Sequence, residues 1–193
     1  MASNIPVDRM QFAWRAMRFG DLGLVEIVAE SVHVDFPERA EIPLERLALF
    51  PAGCMVFANT VGLIGYCIAH PWTFGVPPAL DTLLHALPEH ADTLYIHDLA
   101  LLPAARGAGA GRAAIASLLE VAEHHGLPTL SLIAVSASGP FWSQNGFAAA
   151  APTKSLASYG AAARYMARAT AHSATPSSSP SANAANATSR SGK

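Results

Sequence analysis

The sequence predicts a single mixed α/β domain, and three observations carry that expectation. Of 193 residues, 51% are apolar and 13% are charged, the balance of a chain that buries a core. Apolar residues alternate in some segments and recur at helical spacing in others, in mixed order. Between residues 94 and 135 a strand, a glycine run, a helix and a second strand follow one another, the order of a right-handed β-α-β crossover. A chain of 193 residues suits one domain and hardly two.

Taken in order, Phe12 to Arg18 alternates as a first strand, and Asp21 is placed to cap a helix with apolar positions Leu24, Ile27 and Val28. Glu45 to Phe50 reads as a short second helix. Cys54 to Ala58 and Gly62 to His70 read as strands of a hairpin around an Asn-Thr turn. Pro71 to Asp92 is rich in proline and histidine and reads as an insertion over the sheet, with a short helix from Leu80 to Ala86. Leu94 to Leu102 is a strand, Gly109 to His125 a helix and Thr129 to Val135 a strand. On that helix Ile115, Leu118, Leu119 and Ala122 share one face and Ser117, Glu120, Glu123 and His124 the other. Gly126 ends it and Pro128 prevents its continuation. From Ala169 onward the chain is Ala, Ser, Thr, Pro and Asn without apolar period. That tail offers no surface whose burial would offset the entropy of ordering it. The domain is therefore expected over 1–168 and a disordered tail over 169–193.

Several function classes are disfavoured. A net charge of -2 without a basic run gives nothing to hold a polyphosphate backbone, so nucleic acid is not expected as a partner. The start has charges where a secretory signal needs an apolar core. Cys54 to Ala69, the most apolar stretch, carries Asn59 and Thr60 and meets Pro71 before the roughly 20 residues of a membrane span. Cys54 and Cys67 read as buried small hydrophobes of a reducing compartment, with a cross-strand disulfide as the alternative. A cytoplasmic location without membrane association is the expectation. His85, His90, His124 and His125 lack the spacing of a metal site, and none is predicted.

The segment Pro103 to Arg112 joins strand to helix with three glycines at alternate positions, Gly107, Gly109 and Gly111, separated by Ala108 and Ala110. Missing side chains let backbone amides converge on an anion at a helix N-terminus. Arg106 and Arg112 add two positive charges, the environment a pyrophosphate would take. A tight turn with an exposed arginine is the bland alternative. A dinucleotide fingerprint needs an acid at the end of the next strand, where Val135, Ser136, Ala137 and Ser138 stand instead. A phosphate-binding loop of the Gly-Lys-Ser/Thr type is also absent from this segment.

Arg106-Gly-Ala-Gly-Ala-Gly111 resembles the R/Q-x-x-G-x-G/A signature of the GNAT family of N-acetyltransferases, preceded by the strand Ile96 to Pro103. Gly139-Pro-Phe-Trp-Ser-Gln-Asn-Gly-Phe147 resembles that family's late helix and strand, written F-Y-x-x-x-G-F. The order of elements agrees from the first strand to about residue 168. The resemblance implies a central mixed sheet of about six or seven strands flanked by about four helices, splayed between the strands ending near Leu102 and Val135. It implies acetyl-CoA as co-substrate in the splay. Backbone groups of Leu99, Ala100, Leu101 and Leu102 would pair with the pantetheine arm. The amides of Gly107 to Gly111, with Arg106 and Arg112, would hold the pyrophosphate, and Ser136, Ser138, Phe141 and Trp142 would complete the wall. A homodimer is compatible with the family's habits.

Direct attack of an amine on a thioester needs a proton acceptor. His97 stands where polyamine-acetylating relatives carry a glutamate and is the first candidate for base, beside the reading of an inward histidine satisfied by a carbonyl. Asp98 is the second candidate, or the holder of a structural hydrogen bond. Regular strand geometry sends the two to opposite faces, so that one at most points into the cleft. Where relatives place an acidic tyrosine this chain has Trp142, a donor without useful acidity. Tyr159, Tyr165, Ser136 and Ser138 are substitutes if they fold nearby. The resemblance puts the acceptor side at Ser31 to Pro37 and His70 to Trp72, with Thr73 to Thr93 above them, where a small-molecule or peptide amine would meet Glu30, Asp35 or Glu38 with its charge and Phe36 or Trp72 with its carbon chain. A non-catalytic acyl-CoA-binding module of the same fold is the alternative function.

Overall fold

The computed structural model describes residues 11–171. Seven strands form one sheet in the order β1-β2-β3-β4-β5-β7-β6. They are β1 (Ala13–Ala16), β2 (Cys54–Ala58), β3 (Leu63–Trp72), β4 (Thr93–Leu101), β5 (Thr129–Ala134), β6 (Ala148–Ala149) and β7 (Arg164–Ala169). All neighbours are antiparallel except β4 and β5. The helices are α1 (Leu22–Val32), α2 (Glu41–Leu49), α3 (Ala110–His124) and α4 (Gly139–Gln144).

Two apolar clusters lie on the two faces of the sheet. One joins α3 and Trp142 of α4 to Leu94, Ile96, Leu130 and Leu132. The other joins Val25 and Val28 of α1 and Leu47 of α2 to Val56, Tyr66, Ile68 and Ala100. On α3 the expected face is the buried one, with Ile115, Leu118 and Ala122 inside and Leu119 packed at its edge. The β-α-β unit thus provides one wall of the core and the central parallel pair.

The remaining helices depart in detail. In α1 the buried residues are Val25 and Val28, while Leu24 and Ile27 are exposed. The run Leu22–Val32 is apolar almost all round, so spacing alone did not choose its face. Asp21 does not cap α1 with its side chain. Its carboxylate accepts from the Arg15 guanidinium at 2.7 Å and from the Arg18 amide at 2.8 Å, tying β1 to the turn. α2 begins one turn earlier than expected because Pro43 sits in its first turn, where a missing amide costs nothing.

β3 continues through Pro71 to Trp72. β2 ends opposite Ile68, so Pro71 is bordered by a ladder on one side only, the setting in which a strand tolerates proline. No helix forms over Leu80 to Ala86. That insertion is held by side chains: Glu45 accepts from the amides of Leu84 and His85, both at 2.8 Å, and Arg46 donates to the Thr82 carbonyl at 2.8 Å.

Cys54 and Cys67 are free and buried. Cys67 pairs with Met55 and Cys54 with Ile68, so the two thiols lie in different clusters on opposite faces. The cross-strand disulfide alternative is thereby removed. β7 takes in Ala169, and the Thr170 amide donates to the Pro128 carbonyl at 2.9 Å. The ordered chain therefore passes the expected boundary at 168, and the rest of the tail, 172–193, lies outside the described residues. No described helix is long and apolar enough to cross a membrane.

Candidate active site

β4 and β5 pair only at Leu94 with Leu130 and Tyr95 with Ser131. Beyond that point each continues without the other, β5 held instead by β7 and β4 by β3. A cleft of about 850 Å³ opens in the gap. The backbone of β4 from Ile96 to Leu101 thus has a side facing a cavity instead of a strand.

At one end of the cleft lies the glycine segment. Gly107 and Gly109 both have φ of +80°, conformations that a side chain resists, and Gly109 precedes the first turn of α3. No side chain caps that turn, so its amides are directed at whatever occupies the cleft mouth. Arg106, Gly107, Gly109, Ala110, Gly111 and Arg112 line the cavity, and Ala108 does not. The Arg106 guanidinium donates to the Leu101 carbonyl at 3.0 Å, which lays it along the end of β4. A Cβ on Gly111 would stand 2.9 Å from Phe141 Cζ, so that ring is packed on the glycine itself.

The middle of the cleft is apolar. Leu99, Leu101, Leu132, Phe141 and Trp142 line it. Trp142 is 7% exposed and belongs to the core, so it is wall as well as packing. Ala100 faces the other cluster and Leu102 packs against it. Neither borders the cavity with its side chain, and the Leu102 amide is donated away from it to the Ile64 carbonyl at 2.9 Å, against the role expected of that residue. Ser138 lines the cleft with its hydroxyl donated to the Val135 carbonyl at 2.7 Å. Ser136, at φ +51°, is exposed and stands outside the lining.

The other end holds the titratable groups. In the β3–β4 ladder Ala69 pairs with Ile96 and Ile68 with Asp98, so His97 is an extra residue, a β-bulge. The bulge reverses the alternation expected for a regular strand. His97 and Asp98 both turn toward the α1 face, and both line the cleft. His97 Nε2 lies 2.8 Å from Glu38 Oε2. Asp98 Oδ1 lies 2.7 Å from His33 Nε2, and Asp98 Oδ2 accepts from the Tyr66 hydroxyl.

Burial by itself would raise the Glu38 pKa. The hydrogen bond and charge of His97, with the Asp81 amide and Arg46, outweigh it and hold the carboxyl below its ordinary range. For His33 burial works toward the neutral ring, yet Asp98 and the charge of Glu38 prevail and keep its pKa above the ordinary value. His70, fully buried beside these groups with its ring centroid 6.1 Å from that of His97, is pushed down to about 3 by burial and by His97, and so stays neutral.

Of the residues expected to meet an acceptor, Glu38 and Phe36 line the cleft. Glu30 borders a smaller cavity of about 140 Å³ behind His33 and Asp98. Asp35 and Trp72 border neither, Trp72 having its indole donated to the Val76 carbonyl at 2.7 Å. Tyr159 lines the cleft, and Tyr165 does not, its hydroxyl accepting from the Gly75 amide. Sequence reasoning missed Tyr66 and Tyr95 as site residues, and reached His33 and Leu80 only as members of the acceptor-side segments, without a role. No spacing connects them, because they meet only through the stacking of α1, β3, β4 and the insertion.

A split sheet with a glycine segment before its central helix defines a protein of the GNAT acyltransferase fold. The acetyltransferase (GNAT) family model matches residues 23–147, and the chain belongs to that family. Among solved structures it is similar to Ard1 from Thermoplasma volcanium, at 16% identity and TM-score 0.63 over 83% of this chain and 98% of that one. It is also similar to the PaiA N-acetyltransferase from Thermoplasma acidophilum in complex with coenzyme A, at 12% identity and TM-score 0.59 over 83% and 99%. A third is the GNAT-like decarboxylase GphF in complex with isobutyryl-CoA, at 14% identity and TM-score 0.68 over 81% and 98%. At these identities the likeness is one of fold. No curated protein sequence matches the chain.

Proposed function

We propose that this protein is an acetyl-CoA-dependent N-acetyltransferase that moves the acetyl group to a primary amine by direct transfer in a ternary complex. The observation that supports this above all is the continuity of one cleft between the glycine cradle of α3 and the His97–Glu38 pair. Acetyl-CoA supplies the activated thioester. Amides at Gly107 to Gly111, with Arg106 and Arg112, fit its pyrophosphate, and the edge of β4 that β5 leaves open, around Leu99 to Leu101, fits its amide-bearing arm.

With its Nε2–H donated to Glu38, the His97 ring carries its lone pair on Nδ1, where it can take the proton of the incoming amine. The amine nitrogen then bonds to the thioester carbonyl carbon, the C–S bond breaks, and the thiolate departs with the electron pair. No strong acid stands ready for that thiolate. Trp142 has none to offer, and the Tyr159 hydroxyl, donated to the Pro78 carbonyl at 2.8 Å, is pushed up to about 12 by burial and by Glu38. Solvent protonation completes the step. Asp98, engaged by Tyr66 and His33, positions the β4 bulge and is not the base.

Trp142 in place of an acid favours a second reading, a module that binds acyl-CoA without turnover. Calorimetric titration with acetyl-CoA and NAD, followed by thiol release over a panel of amines, tests both. Acetyl-CoA binding with amine-dependent thiol release supports the enzyme. Binding without release from any amine supports the module, and absence of acetyl-CoA binding overturns both readings.

A further inference from the structure

We propose that the acceptor is a small primary amine carried on an apolar body of aromatic size, with no carboxylate beside the amine. The inference rests on the N-acetyltransferase reading and concerns the end of the cleft at His97. Phe36, Leu80, Tyr95 and Tyr159 form its apolar walls, which match the contact surface of a ring or branched chain.

Charge sets the second part. Among the described residues the only arginines or lysines lining the cleft are Arg106 and Arg112, both at the glycine cradle. Near His97 the titratable liners are Glu38, Asp98 and His33, the last held by Asp98 at 2.7 Å. Arg46 is fully buried and does not line the cleft, its terminal nitrogens taken by Glu45 and the Thr82 carbonyl. Arg39 is held by Asp81 at 3.0 Å. A carboxylate next to the reacting amine would therefore enter a pocket whose histidines, His33 and His97, are already held by Asp98 and Glu38 at 2.7 and 2.8 Å and whose described lining there has no arginine or lysine to receive it, a poorly compensated burial of charge.

Enclosure sets the third. The Tyr159 hydroxyl donates to the Pro78 carbonyl of the insertion at 2.8 Å. The amide of Asp81 donates to Glu38 Oε1 at 2.9 Å. These bonds stitch the insertion to the turn before β7 and to the loop after α1 across the acceptor end. A peptide or protein N-terminus would have to part them to lay its second and third residues down, whereas a small molecule fits beneath.

The test compares thiol release from acetyl-CoA with phenylethylamine, phenylalanine, ethylamine and a tripeptide amide beginning with phenylalanine. The expected kcat/KM for phenylethylamine exceeds that for phenylalanine by on the order of 100-fold and that for ethylamine by about tenfold or more. Phe36→Ala raises KM for phenylethylamine about tenfold with kcat little changed, and Leu80→Arg narrows the gap to phenylalanine about tenfold with KM for acetyl-CoA unchanged. If phenylalanine, ethylamine or the tripeptide amide is used as well as phenylethylamine by the unmodified protein, this inference falls and the N-acetyltransferase reading stands. If no amine releases thiol although acetyl-CoA binds, both fall.

Discussion

Glu38 Oε2 and His97 Nε2 meet at 2.8 Å although 59 residues separate them in the chain. The pairing depends on two devices. A bulge turns His97 toward α1, and the insertion presents the Asp81 amide to the second Glu38 oxygen. A carboxylate so held orients the imidazole and fixes which nitrogen is free, the role of the third member in nucleophile–base–orienter arrangements.

Replacing His97 with Gln should lower kcat by about 10²- to 10⁴-fold while calorimetric affinity for acetyl-CoA stays within about twofold. Glu38→Gln should lower kcat by about tenfold or more without changing KM for acetyl-CoA. Loss of acetyl-CoA affinity in either variant would place these residues in cofactor binding and not in proton transfer.

The two histidine–carboxylate pairs give opposite pH signatures. Glu38 has a folded pKa below its ordinary value, so its stabilising contribution is present above the ordinary carboxylate range and is lost as pH falls through the folded value. His33 has a folded pKa above its ordinary 6.5, so its contribution is full below that pH and is lost as pH rises through the folded value. In urea unfolding, the penalty of Glu38→Gln should be larger at pH 7 than at pH 4, and that of His33→Asn larger at pH 6 than at pH 9. A penalty independent of pH in either case would contradict the assigned pairing.

Arg106→Ala and Arg112→Ala should each raise KM for acetyl-CoA by about tenfold, with the effect shrinking at high salt because both side chains are exposed. KM for the amine should not follow. Steady-state kinetics at two ionic strengths separates this outcome from a general loss of fold.

Gly53 has no room for a side chain. A Cβ there would be driven into the Ala69 carbonyl and to 2.8 Å from Phe50 Cδ1. Gly53→Ala should cost about 3 kcal/mol or more of stability, a loss typical of severe overpacking against backbone, readable as a lowered urea midpoint. Gly62→Ala, with open space around the same atom, is the control and should change the midpoint little.

Burial pushes the Cys54 thiol up to about 12 and holds the Cys67 thiol well above its ordinary value. Both should resist Ellman's reagent in the native protein and react at once in denaturant, since the thiolate is the reactive species. Rapid native labelling would contradict the burial of either.

The elements of the β-α-β unit were legible because each has a local cause. Ile115, Leu118 and Ala122 repeat at helical spacing, Gly126 and Pro128 stop the helix, and Gly107 and Gly109 adopt the positive φ that their lack of a side chain permits. The face of α1 was less legible because Leu24 and Val25 are equally apolar. The insertion was misread at Leu80 to Ala86 because its order comes from Glu45, Arg46 and Glu38, which lie far away in the chain.

Residue type and short-range spacing were enough to determine the family resemblance, the glycine cradle and the candidacy of His97, since these rest on backbone conformation and side-chain chemistry within a few residues. Only the tertiary structure decided that His97 and Asp98 share a face and that each has its own partner. A bulge is a mismatch between two strands, and each histidine–carboxylate pair joins β4 to the end of α1 or the segment after it, so neither has a period along the chain.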